Sequence, residues 1–442
     1  MTRSSLAVLL TLLAPRMLGA SPTYTCEKDC EAEEQSFIQR QLRHAAGVGI
    51  QRQAGVGEPH GPGAECDLEN AAHGGCRLHS MWRGHVYNVH PGGATGCLDS
   101  RQPYYFQVMK GCPRKLLYVF DDGGACLDAA SYENDLFCAR TPWLTPFSGI
   151  LNQSDHRNPY REYTIVRVSY CSGDSHTGNN SQPWGPGGEM VQLRGALNAE
   201  AVLQWTAAQF PVLDRLIVGG YSAGSVGVQF WADRVISTLR RRGTEVMHFA
   251  DSFVAGALFP LVGREYVIQA VFETWGTCKA KALSEEFKLA CKAGTLLPED
   301  QYIDAMRQHR DVRFVMVNSK VDWQQVRYNS AIIRMQMAPE VFYKQASVFL
   351  KKYALEPNFR SYLVDGDHHI YARSEQVFTA TPKGADGGGT GPKLIDWLFN
   401  ASKCSHSVPG NVCEGRPIDV AHAAAAPTPP DYCDPALSGE GA

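Results

Sequence analysis

Three short stretches carry the residue types needed for nucleophilic chemistry at an acyl carbon. In "RLIVGGYSAGS", Ser222 falls where an apolar run gives way to small residues and then to an amphipathic helical pattern. Strand, sharp turn and immediate helix together make a nucleophile elbow, which lifts a serine hydroxyl above the carboxyl end of a sheet. A tight turn alone would also explain glycines at 220 and 224, and the Gly-x-Ser-x-Gly letters by themselves are a weak signal. The placement between strand and helix is what points to catalysis.

A serine at its ordinary pKa is a poor nucleophile, so it needs a base to take its proton and a third group to orient that base. The apolar run "VRFVMV" is followed by "NSKVDWQQ", which puts Asp322 in a strand-end loop, and "FRSYLV" is followed by "DGDHHIYAR", which puts His368 and His369 in the next. The order serine, aspartate, histidine is that of α/β-hydrolases. Asp322 could instead cap a loop, and the two histidines with Asp365 and Asp367 could hold a metal, although no His-Glu-x-x-His stretch completes such a site. An acyl-transfer transition state also needs N–H donors for its oxyanion. The segment "LLYVFDDGGACLD" ends an apolar run with Gly123 and Gly124, and the N–H of Ala223 follows the serine, so these three residues are the candidate oxyanion hole.

Elements able to position such loops are visible along the chain. The regular part opens with "SMWRGHVYNVHPGG", and strand-like runs follow at "PYYFQVM", "KLLYVF", "YTIVRVSY", "RLIVGG", "EVMHFA", "VRFVMV" and "FRSYLV". Several are continuously apolar, as expected for strands covered on both faces. Helical patterns lie between them at "ALNAEAVLQWTAAQF", "GVQFWADRVISTLRRR", "SEEFKLACKAG" and "PEDQYIDAMRQH". Alternating strands and helices predict an α/β fold with a mostly parallel sheet flanked by helices. Trp184, Phe230 and Trp231 are aromatics near these motifs, and at helical spacing they read as core.

The 442 residues carry a net charge of −3 with both signs mixed, which gives no footprint for nucleic acid. Residues 1–20 have the layout of a secretory signal peptide, with a short transmembrane anchor as the alternative because Arg16 interrupts the pattern, and no other run is long enough to span a bilayer. Fourteen scattered cysteines suit an oxidising compartment, and Asn-x-Ser sequons begin at Asn152, Asn179 and Asn400. The expected organisation is therefore a signal peptide, an irregular disulfide-tied extension over 21–80, a catalytic domain over 81–404, and a Pro/Ala-rich tail over 405–442. The mature chain is expected to be a secreted monomer without a metal or organic cofactor.

Taken together, "YVFDDGGAC", "SYCSGDSHTGN", "GYSAGSVGV", "VDWQQ" and "GDHHIY" resemble the pectin acetylesterase/Notum family of carboxylester hydrolases over roughly residues 81–404. The resemblance implies an α/β-hydrolase-like fold with a Ser222, Asp322, His369 triad, and His368 is the alternative if the alignment slips by one residue. It also implies disulfides Cys126–Cys138 and Cys112–Cys171, and structural places for Asp174 and His176. Asp122 stands where the family has the first glycine of a triplet, and Ala125 where plant members have tryptophan. Family members remove either acetyl groups from cell-wall polysaccharide or a long fatty acyl group from a secreted protein. The polar loop "CSGDSHTGNNSQPWGPGG" and the lack of an evident apolar lid favour an acetylated polysaccharide such as pectin as substrate. The alternatives are a Notum-like deacylase of a fatty-acylated protein or lipid ester, and an inactive hydrolase scaffold that only binds.

Overall fold

The structure is a computed structural model, described here for residues 64–69, 76–133, 138–142, 145–254, 264–333, 336–384, 391–400, 407–408 and 412–414. The strands in chain order are β1 (Ala64–Asp67), β2 (Val86–His90), β3 (Phe106–Met109), β4 (Cys112–Phe120), β5 (Tyr163–Val168), β6 (Asn180–Gln182) and β7 (Val191–Leu193), followed by β8 (Arg215–Tyr221), β9 (Glu245–Asp251), β10 (Arg313–Ser319), β11 (Phe359–Val364), β12 (Ser407–Val408) and β13 (Val412–Glu414). Eleven of them form one sheet in the order β1-β2-β3-β5-β4-β8-β9-β10-β11-β13-β12, and β6 and β7 make a separate hairpin. Pairing from β5 through β13 is parallel, whereas β2/β3, β3/β5 and β12/β13 are antiparallel. The continuously apolar runs are the central strands. Each of β5, β8, β9 and β10 has its interior residues buried, because helices cover both faces.

The helices are α1 (Ala129–Glu133), α2 (Gly195–Gln209), α3 (Ala223–Leu239), α4 (Arg264–Trp275), α5 (Glu285–Lys292), α6 (Pro298–Gln308), α7 (Trp323–Ile333), α8 (Pro339–Tyr353) and α9 (Leu394–Asn400). On one face of the sheet a large core joins α2, α3 and α6 to the strands through Val202, Leu203, Val228, Trp231, Tyr302 and Met306. A second core on the other face packs Ile165, Ile217, Phe249 and Val315 against Val377, Phe378 and Trp397. Trp184, Phe230 and Trp231 are buried as core residues, and the Trp231 indole N–H donates to the His176 carbonyl at 2.9 Å.

The sheet reaches beyond the 81–404 segment expected from composition. β1 pairs with β2, and β13 pairs with β11, since backbone pairing asks nothing of the apolar content that marked the central strands. The expected signal peptide lies outside the described residues.

Four disulfides join described residues: Cys66–Cys76, Cys97–Cys171, Cys126–Cys138 and Cys278–Cys291. Cys126–Cys138 is the pair implied by the family resemblance. Cys112–Cys171 is not formed, and strand register is the reason. Cys112 lies opposite Tyr163 at the amino end of the parallel β4/β5 pair, while Cys171 lies beyond the carboxyl end at Val168. The five strand steps from Tyr163 to Val168 alone separate those levels by roughly 17 Å, far more than a disulfide spans. Cys97 reaches Cys171 because the neighbouring Leu98 N–H donates to the Cys171 carbonyl at 2.8 Å. Non-reducing peptide mapping should recover a Cys97–Cys171 linked pair, and a Cys112–Cys171 peptide would contradict the register.

Candidate active site

The site forms where the loops after β4, β8, β9, β10 and β11 converge at the carboxyl ends of parallel strands, the usual place for ligands in an open α/β sheet. Ser222 follows β8 and is the N-cap of α3 with φ 54° and ψ −121°, a conformation that L residues avoid. Its N–H donates to the Asp251 carbonyl at 2.9 Å, and its own carbonyl accepts from Ser225 N–H at 2.9 Å. The flanking glycines are sterically required. A Cβ at Gly220 would lie 2.1 Å from the Gly224 carbonyl oxygen, and one at Gly224 would lie 2.1 Å from the Phe120 carbonyl oxygen.

The structure brings Ser222, His369 and Asp322 into one hydrogen-bonded chain. His369 Nε2 is 2.9 Å from Ser222 Oγ, and its Nδ1 is 2.9 and 2.8 Å from the two Asp322 oxygens. With Nδ1–H donating to the carboxylate, Nε2 is left to accept from the serine hydroxyl. His368 turns away; its Nε2 donates to the Ile370 carbonyl at 3.0 Å and its ring packs edgewise on Tyr371.

Asp322 also caps α7, accepting the N–H groups of Gln324 and Gln325 at 3.1 and 3.0 Å, so the capping reading and the partner reading describe the same carboxylate. Gln325, which the sequence did not flag, holds it further. Its side-chain amide donates to Asp322 Oδ2 at 3.0 Å and to Asn318 Oδ1 at 2.7 Å, and its amide oxygen accepts the Val254 N–H at 3.0 Å. The loop that carries His369 is anchored in the same manner by Asp251, whose carboxylate accepts the N–H groups of Tyr371 and Ala372 at 2.8 and 2.6 Å. Ser252 Oγ accepts the Ile370 N–H at 2.8 Å, and Ser319 Oγ donates to the His368 carbonyl at 2.6 Å. Asp365, weighed above as a metal ligand, pairs with Lys320 at 2.7 Å.

Of the candidate oxyanion donors, Gly124 and Ala223 border the same pocket as Ser222 and His369. Ala223 opens α3, where the first N–H groups have no partner inside the helix. Gly123 is not among the residues lining that pocket, and its carbonyl accepts the Ala139 N–H at 2.6 Å. Asp174 and His176 lie behind the site and are fully buried. Asp174 accepts from the Ser172 hydroxyl and the Gly195 and His176 N–H groups, and burial nonetheless pushes its carboxyl up to about 7. Burial lowers His176 to about 4, so its neutral ring donates Nε2–H to the Asp121 carbonyl at 2.9 Å.

The pocket is apolar. It is partly open to solvent, and its walls include Leu127, Val226, Phe253, Val271, Phe272 and Trp275. Tyr328 and Ile332 join from α7, where 325, 328 and 332 share a helix face. Neither α4 nor α7 was legible in the sequence, yet both supply walls.

A nucleophile, a base oriented by a buried acid and an apolar pocket with backbone donors can together perform acyl transfer, the chemistry of the carboxylic ester hydrolases. The model of the pectinacetylesterase family matches residues 86–354, and the chain belongs to that family. Two crystal forms of the Wnt deacylase Notum from Drosophila are similar solved structures. The first has a TM-score of 0.47 and 19% identity, covering 63% of this chain and 83% of that one. For the second the TM-score is 0.49 and the identity 17%, with 70% of this chain and 90% of that one covered. Among curated proteins there is no match.

Burial works against the charged form of His369, but the Asp322 charge and hydrogen bond outweigh it, with Asp122 and Asp251 adding to them, and hold its pKa above the ordinary 6.5. An NMR titration of the His369 ring should therefore give a midpoint above 6.5. In Asp322→Asn the midpoint should fall, because the carboxylate charge is gone while burial remains.

Proposed function

We propose that this chain is a secreted serine carboxylesterase that uses Ser222, His369 and Asp322. The observation that carries the reading is His369 Nε2 at 2.9 Å from Ser222 Oγ while Nδ1 is held by Asp322. Ser222 Oγ attacks the ester carbonyl and gives its proton to His369, forming a tetrahedral intermediate whose oxyanion lies toward the N–H groups of Gly124 and Ala223. His369 passes that proton to the departing alkoxide, leaving an acyl-serine. Water then adds to the acyl carbon as His369 takes its proton, and the proton returns to Ser222 Oγ as the carboxylic acid departs. Asp322 keeps the ring in the needed tautomer throughout. The disulfides and the expected signal peptide support an extracellular place of action.

On acyl length the pocket supports a longer chain than acetyl. Acetate offers one methyl group to walls that are almost wholly apolar, whereas each further methylene of a longer acyl chain gains from burial against them. A fatty ester, on a lipid or a protein, fits those walls. The second reading, removal of acetyl groups from a pectin-like polysaccharide, is favoured by the description of the family itself. A scaffold that only binds is less well supported, since Gly124 and Ala223 remain beside Ser222 despite Asp122.

Two measurements separate these readings. A fluorophosphonate should label wild-type protein and not Ser222→Ala, while folded wild-type protein that resists labelling would favour the binder. In a p-nitrophenyl ester series, each methylene buried is worth about 0.8 kcal/mol, so kcat/KM should climb by up to about fourfold per methylene from acetate toward octanoate or beyond. A maximum at acetate, with acetate released from acetylated pectin, would restore the polysaccharide reading.

A further inference from the structure

Asp122, which immediately precedes the candidate oxyanion loop, is not idle. Its Oδ2 lies 2.6 Å from Arg373 Nη2. Arg373 sits four positions after His369 on the loop that carries the base, and Asp122 immediately precedes Gly123 and Gly124. The Arg373 guanidinium lies 5.4 Å from the Tyr221 ring centroid, and Tyr221 immediately precedes Ser222. The carbonyl of Arg373 accepts the Ser148 hydroxyl at 2.5 Å, and Ala372 O accepts the Ile150 N–H at 2.8 Å, so the guanidinium projects from a tethered backbone. Both side chains are largely buried, with Arg373 at 20% and Asp122 at 13% exposure.

We propose that the Asp122–Arg373 ion pair is a clamp that fixes the oxyanion loop, the serine elbow and the histidine loop relative to one another, making both residues positioning residues for the reaction proposed above. The three loops come from β4, β8 and β11, and the pair joins the first and third across the second. A glycine at 122 could not make this tie. A misplacement of an ångström at an acyl-transfer site costs on the order of a hundredfold in rate, so a tether that removes such freedom has a kinetic effect.

The pair also faces a charged neighbourhood. Asp121 lies beside Asp122 in the chain and is paired with the buried Arg167 of β5 at 2.7 Å. Tyr221 faces both arginines from β8, while Asp322 faces His369 from the loop after β10 and Asp251 from the end of β9. The Asp122 charge is among those that raise the His369 pKa.

The inference rests on the triad reading, and its test separates the two. Wild type, Asp122→Asn, Arg373→Gln and the double variant are compared for ester hydrolysis over pH, fluorophosphonate labelling rate and thermal stability. The clamp predicts that each single variant loses about tenfold to a hundredfold in kcat with KM within about twofold, and that labelling slows in proportion. The double variant should be no slower than the slower single one, because one interaction is lost in all three. The acid limb of Asp122→Asn should move to lower pH, since a charge that raises the base is gone; burial raises Asp122 itself to about 6 against the pull of Arg373, so the shift is read above that pH. If Asp122→Asn does not fold, Asp122→Gly serves for the same comparison. Wild-type kcat and an unmoved acid limb in folded variants would overturn the clamp and leave the triad standing. Wild-type protein that resists labelling at Ser222 would overturn both.

Discussion

Ser222 stands at φ 54° and ψ −121° on the junction of β8 and α3, and a residue with a side chain in such a region costs of order 1–3 kcal/mol. The surrounding chain is organised so that the conformation has no cheaper alternative. Glycine at 220 and 224 leaves room for the turn against backbone that a single methyl group would strike. β8 pairs on both edges, with β4 and β9, so it cannot shift lengthwise to relax the elbow without breaking two ladders. The Asp251 carbonyl takes the Ser222 N–H, and the Asp251 carboxylate takes two N–H groups of the histidine loop. One residue at the end of β9 therefore sets Ser222 and the loop of His369 together.

Parallel register does the rest of the positioning. Since β4, β8, β9, β10 and β11 run the same way, their carboxyl ends lie at one edge, and loops separated by a hundred residues or more in sequence become neighbours. The same register rules out the Cys112–Cys171 bridge and allows Cys97 to close on Cys171. It also brings Asp122 within reach of Arg373.

This explains which parts were legible in the sequence. The central strands were readable because burial on both faces demands continuous apolar runs, and the elbow was readable because its steric limits demand small residues at fixed offsets. Ser222, Asp322 and the His368–His369 pair followed from strand-end placement and chain order, and the preference for His369 from the family resemblance. Gln325, Asp251, Ser252 and Arg373 were not readable, because each acts through a partner distant in sequence and no local pattern marks a hydrogen bond of that kind. The walls of the pocket were hidden for a different reason. The stretch "WQQVRYNSAII" has too few apolar residues to announce a helix, since only the 325, 328 and 332 face turns inward and much of that face is polar.

The central claim is that Ser222 Oγ becomes covalently acylated during turnover. It is tested most directly by acid-quenching the protein while it hydrolyses an octanoyl ester and locating any adduct by peptide mass spectrometry. The account predicts one octanoyl group on the peptide containing Ser222, absent from Ser222→Ala. Steady hydrolysis with an adduct on a different residue, or hydrolysis that persists undiminished in Ser222→Ala, would contradict it.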